Sequence, residues 1–168
     1  MRPDTDQGNC PHDKRIGTSA GREAIPPLKQ LMADGLFWSA LLAGPVVWAL
    51  AWSFTDGQFG WPRAWAAFAL VALFYPIIEE ILFRGFMQGW LEHRTQGRRL
   101  IGPITVANAA TATAFALTHL VRHPPLLAAG VFVPGLVFGF FRDRYGSIVP
   151  GTVLHCFYNT GWFLLAAG

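Results

Sequence analysis

The chain has 168 residues, 52% of them hydrophobic and only 14% charged, with a mean hydropathy of +0.34 and a formal net charge of +3. Soluble domains carry about 25% charged residues, and several long apolar runs here leave too little polar surface for a compact core in water. The sequence pI of about 9.2 does not mark a nucleic-acid binder, because the basic residues fall in short links between apolar runs rather than along one stripe.

Residues 1–34 read as a polar cytoplasmic tail, partly disordered, with Gly17, Gly21 and the Pro26–Pro27 pair opposing regular structure. A short interfacial helix is expected near 28–36. Cys10 lies in this tail and Cys156 in an apolar run, so the two cysteines form no disulfide framework. A membrane span needs roughly 17–25 mostly apolar residues. Runs 36–54, 101–121, 124–141 and 147–168 meet or approach that length, and 64–78 does so if its helix continues to about 91. Together they predict an all-α fold, a polytopic membrane bundle of about five transmembrane helices, with 35–168 as one domain. Basic links alternate in strength. The tail is rich, the next link holds only Arg63, the third holds Arg94, Arg98 and Arg99, the fourth Arg122, the last Arg142 and Arg144. The positive-inside rule then places the N-terminus in the cytoplasm and the C-terminus outside.

Ionisable groups inside the bilayer cost at least ~2.5–3.5 kcal/mol each at its centre, and they face the bundle interior. This chain has few: Glu79, Glu80, Arg84, His119 and His155, joined by the neutral Asn108 and Asn159. Glu80 and Arg84 are four apart and share a helix face, so they can pair. Glu79 points about 100° away and has no partner in its own helix. Pro76 stands three residues before Glu79 and is expected to break the run and begin a fresh helix. His119 closes the third run, and His155 and Asn159 share a face of the last. Each motif alone fits a structural role: an ion pair, an interfacial histidine, an interhelical hydrogen bond. Together they suit hydrolysis. A carboxylate with a histidine can position and deprotonate a water, and a second histidine with an amide can stabilise an oxyanion. No Gly-x-Ser-x-Gly elbow is present, and Cys156 faces away from its neighbour His155, which disfavours a serine or cysteine enzyme.

Glu79-Glu80-x-x-x-Arg84, Phe115-x-x-x-His119 and His155-x-x-x-Asn159, in that order on successive apolar segments, resemble the CPBP family, the CAAX-protease and bacteriocin-processing intramembrane endopeptidases also called Abi. The resemblance covers about 64–163 and implies a helical bundle around a polar cavity in a bacterial inner membrane. It implies Glu79 as the base that activates water and His119 as a holder of that water. His155 and Asn159 would form the oxyanion hole, with Glu80 and Arg84 in support. The implied substrates are membrane-associated protein segments: prenylated C-termini, leader peptides or C-terminal sorting tails. Glu79, His119 and His155 would also make a zinc site with two histidines and one glutamate. The His-Glu-x-x-His spacing of familiar zinc proteases is absent, and Asn159 beside His155 suits an oxyanion hole, so a cofactor-free glutamate mechanism is favoured over zinc.

Two other classes compete. A non-catalytic immunity or scaffolding protein of the same fold would tolerate loss of Glu79 or His119. A small proton-coupled transporter would show paired internal repeats, and none is visible. One tension stays with the spans as drawn: Glu79 and His155 fall towards mid-membrane, whereas His119 ends its span. A break at Pro76, helix tilt, or a third helix starting later than Ile101 would bring the three together.

Overall fold

The structure is a computed structural model that describes residues 28–53 and 64–166. The first 27 residues of the expected tail, Cys10 among them, and the link holding Arg63 lie outside the described residues. A five-residue helix α1, Leu28–Met32, leads into α2, Gly35–Ser53. α1 packs Leu31 onto a small core with Phe37, Phe138, Phe141 and Leu154.

The longest element is α3, Trp65–Thr95. It is one continuous helix, and Pro76 does not break it. Instead the turn just before the proline, Leu70–Phe74, widens to π geometry. Pro76 has no N–H to give to the preceding turn, and widening absorbs the mismatch without ending the helix. A second widened stretch follows at Ile81–Gln88. The first leaves carbonyls of α3 open to a neighbour. Asn159 Nδ2 donates to Val71 O at 3.1 Å, and Cys156 Sγ lies 4.0 Å from Leu73 O.

Residues 99–105 are not helical. Arg99–Ile101 (β1) and Ile104–Thr105 (β2) form a small antiparallel hairpin, with Gly102 at φ +51 in its turn. Branched Ile101 and Ile104 flank Gly102-Pro103, a turn pair that opposes helix and favours a hairpin. The expected span at 101–121 is therefore corrected to α4, Val106–His119, whose first turn is capped where Thr105 Oγ1 accepts from the Asn108 N–H at 3.0 Å. α5, Pro125–Gly130, runs nearly straight into α6, Phe132–Tyr145, which ends at left-handed Gly146 (φ +63). α7, Val149–Ala166, closes the bundle.

Among the described residues three stretches are long and apolar enough to cross a membrane: α2, α3 and the α5–α6 stretch Pro125–Tyr145. The other two expected spans are the short α4, of 14 residues, and α7, of 18, which carries His155 and Asn159. The bundle packs α4 and α7 against α6, and lays α7 between α2 and the first half of α3. Two glycines permit the α2–α7 contact: a Cβ on Gly44 would meet the Tyr158 ring at 3.0 Å, and one on Gly161 would strike Trp48 at 2.1 Å. Large apolar side chains such as Leu42, Val46, Phe74, Leu82, Phe86 and Val133 point outwards, while Glu80, Arg84, Gln88 and Asn108 are fully buried. That distribution suits a lipid surround, where polar groups belong inside.

The charged ends meet at one end of the bundle. Arg142 pairs with Glu92 at the end of α3, and Arg144 Nε donates to Asp34 Oδ2 at 2.8 Å, just before α2. The ends of α3 and α6 and the starts of α2 and α4 therefore share one rim.

Candidate active site

α3 places Glu79 and Glu80 side by side in sequence and in different surroundings. Glu80 is fully buried. Its Oε1 takes an ion pair from Arg84 Nη1 at 3.0 Å and faces His155 Nδ1 at 3.0 Å. Because Glu80 also pairs with Arg84, it serves as the acceptor and His155 Nδ1–H as the donor. Glu79 keeps a third of its side chain exposed (33%), with Oε2 3.5 Å from His155 Nε2. The two glutamates thus address the two nitrogens of one imidazole, and α7 can come this close because Gly151 has no side chain. A Cβ there would lie 3.1 Å from Glu80 Oε2 and 3.2 Å from Phe138 O.

Two aromatic rings wall the cluster. The Arg84 guanidinium lies 4.4 Å from the Phe115 ring centroid and 5.4 Å from that of Phe138. His155 stacks on Phe138 at 4.8 Å and meets Phe115 edge-on at 5.6 Å. Arg84 Nη2 also donates to Gly135 O at 3.0 Å. A buried guanidinium with an ion pair, a carbonyl and two π faces has little freedom to move.

His119 reaches this region from the end of α4. Its ring meets the Phe115 ring edge-on, centroid to centroid at 4.7 Å, and stacks on His123 at 5.9 Å. His119 Nδ1 sits 2.9 Å from Phe115 O. A carbonyl only accepts, so Nδ1 carries the proton and Nε2 presents its lone pair. Asn159 lies one turn beyond His155 and spends one amide proton on Val71 O, keeping the other. Glu80 therefore joins Arg84 to His155, His155 faces Glu79 on its other side, His119 packs on the Phe115 ring that also meets His155, and Asn159 lies one turn further along α7.

Among the described residues, no three histidine, cysteine or carboxylate side chains are grouped as a metal ion requires. Both nitrogens of His155 face carboxylates, and one nitrogen of His119 is held by a carbonyl.

Sequence reasoning missed Gln88, Thr105, Asp143 and the role of Asn108. Gln88 is fully buried, and its Nε2 donates to Gly139 O at 3.0 Å and to Asp143 Oδ1 at 2.7 Å. Thr105 Oγ1 donates to Asp143 Oδ2 at 2.8 Å, and Asn108 Nδ2 to Leu136 O at 3.1 Å. A signal was available: Glu80, Arg84, Gln88 and Glu92 recur every four residues along one apolar helix.

Residues 59–161, well over half of the chain and every site residue named above, match a family model described as type II CAAX prenyl endopeptidase Rce1-like. Comparisons with curated proteins and with solved structures give no match.

Proposed function

The chain belongs to the Rce1-like type II CAAX prenyl endopeptidases, integral membrane proteases, and on that premise we propose that it cuts a peptide bond in a membrane-associated protein segment with a water activated by Glu79. The observation that carries this reading is the contrast between the two glutamates. Glu80 is sealed and committed to Arg84 and His155, while Glu79 is open on one side and free to accept a proton.

The step runs as follows. A water held between Glu79 and His119 Nε2 gives its proton to Glu79, and the hydroxide attacks the scissile carbonyl carbon. Charge gathers on the carbonyl oxygen, where the remaining Asn159 N–H and His155 Nε2 can donate to it. With Nδ1–H directed at Glu80, His155 donates from Nε2 only when protonated on both nitrogens. Glu79 then passes its proton to the amine, the C–N bond breaks, and two peptides leave. No step passes through a metal ion.

The substrate we propose is an extended segment beside the bilayer, the class that includes prenylated C-termini, leader peptides and sorting tails. The rim formed by Asp34, Glu92, Arg142 and Arg144, beside basic Arg94, Arg98 and Arg99, is assigned to the cytoplasmic side of a bacterial inner membrane by the positive-inside rule.

The test compares protein termini in membranes carrying wild type or Glu79→Gln, with and without a zinc chelator. Specific termini that need Glu79 and survive chelation are the expected result. Termini lost on chelation favour a metal enzyme, and termini indifferent to Glu79 sink the proposal.

A further inference from the structure

α3 carries a polar row that the hydrolysis step does not use up. Glu80, Arg84 and Gln88 are spaced by four and are all 0% exposed. In a regular α-helix such a row drifts by about 40° at each step. The widened stretch Ile81–Gln88 reduces that drift and keeps the row facing the interior. Opposite it, α4 presents buried Asn108 and Thr111, α6 presents Gly135 and Gly139, and α7 presents Gly151. Among the described residues, every buried side-chain polar atom without a hydrogen-bond partner lies along this seam: Glu80 Oε2, Arg84 Nε and Nη1, Gln88 Oε1, Asn108 Oδ1 and Thr111 Oγ1, with Nη1 keeping its ion pair to Glu80.

The orientation of both amides is fixed. Gln88 Nε2 donates to Gly139 O and Asp143, and Asn108 Nδ2 donates to Leu136 O, so each amide is left with an oxygen that can only accept. The two oxygens converge on Gly139: a Cβ there would lie 2.1 Å from Asn108 Oδ1 and 2.8 Å from Gln88 Oε1. Buried acceptors turned on one spot call for a shared donor. A cation would satisfy them, but only one turn from the Arg84 guanidinium, at a cost in like-charge repulsion. Water has no such cost. It can accept from Arg84 Nε and donate to both amides.

We propose that this seam binds a short file of internal waters between α3, α4 and α6, running from the Thr105–Asp143 end of the rim to Glu80. The binding site stands on geometry alone; its use rests on the protease reading, in which it brings water to the glutamates while a substrate segment covers the open side of Glu79.

The test uses the full-length protein in lipid nanodiscs, with magnetisation transferred from water to the side-chain amides of Gln88 and Asn108. Both amides should show water cross-peaks, and these should persist in Thr111→Val, which removes the hydroxyl that could relay the signal. Both peaks should be lost in Gly139→Ala, or in Asn108→Leu for the Gln88 peak should the alanine variant not fold. Absence of the peaks in folded wild type, or their loss in Thr111→Val, overturns the hydration site. Peaks lost in Asn108→Leu with kcat unchanged overturn its role in water supply. A wild type that shows the peaks and cuts nothing would instead sink the protease reading and leave the site standing.

Discussion

At the scale of single residues, two adjacent glutamates do different work because a helix turns them in different directions. Glu79→Gln keeps the shape and removes the base. It should lower cleavage by roughly 10²–10⁴-fold, read as kcat on any substrate found, with the unfolding midpoint in detergent little changed. Glu80 should behave otherwise. Glu80→Ala strands the Arg84 guanidinium, fully buried between Phe115 and Phe138. Breaking a buried pair from one side costs about 3–5 kcal/mol, visible as a large fall in thermal stability. Adding Arg84→Met should recover part of that loss, because the two changes share one interaction. If Glu80→Ala proves as stable as wild type, the pair is not what holds α3 to α6 and α7. The residues of this cluster were legible in the sequence because charge inside an apolar run is costly and therefore conspicuous. Their division of labour was not, since it depends on which carboxylate α7 covers.

At the scale of elements, the site depends on how near α7 comes to α3. Gly151→Ala would put a methyl 3.1 Å from Glu80 Oε2 and 3.2 Å from Phe138 O. The helices would have to part by a few tenths of an ångström. That should cost about 1–3 kcal/mol and lower kcat by roughly tenfold to a hundredfold through misplacement of His155. Full activity in this variant would show that the glycine is not required for the approach. The hairpin at 99–105 was only half legible: Gly102-Pro103 marks a turn, but Ile101 and Ile104 read equally well as membrane apolars, and hydropathy does not distinguish strand from helix in so short a run. Nor did it announce the widened turns of α3. Pro76 was visible, yet a proline can end, kink or widen a helix, and the run alone does not say which; here the widened turn leaves the Val71 and Leu73 carbonyls to α7. The polar row ending in Gln88 was visible as a spacing of four, but such a spacing looks ragged on an ideal helix and becomes a face only once the helix widens.

At the scale of the whole molecule, the N-terminal helices are tied to the end of α6 by one carboxylate. Asp34 accepts from Tyr145 Oη at 2.6 Å, from Arg144, and from the Leu36 N–H at 2.9 Å, and its side chain is 7% exposed. The Tyr145 hydroxyl is the main cause holding the Asp34 carboxyl below the ordinary carboxylate range, assisted by Leu36 and Arg144 and opposed by burial. A lowered folded value means that stability is present above the unfolded value, ~3.9, and is lost as pH falls through the folded one. Hydrogen exchange of residues 28–38 should therefore be slow and flat above about pH 5, once corrected for intrinsic rates, and should quicken below about pH 4. In Asp34→Asn the tie should be weak at every pH. An identical pH profile in that variant would remove Asp34 as the cause. The overall bundle and its apolar exterior were legible from composition and run length. The count of five spans was not secured: α4 gives its first residues to the hairpin, and α7, which carries His155 and Asn159, is not among the three stretches long and apolar enough to cross.

That shortened helix bears on the lipid. Fourteen residues rise about 21 Å, against a hydrocarbon layer of ~30 Å, while α3 beside it, at 31 residues, is long enough to cross with turns to spare. Thr113, Leu117 and Thr118 of α4 face outwards. On that flank the bilayer must thin or let headgroups and water dip towards His119. A substrate tail arriving there would have the least oil to traverse, so hydrophobic mismatch, rather than a protein gate, would mark the door to the site.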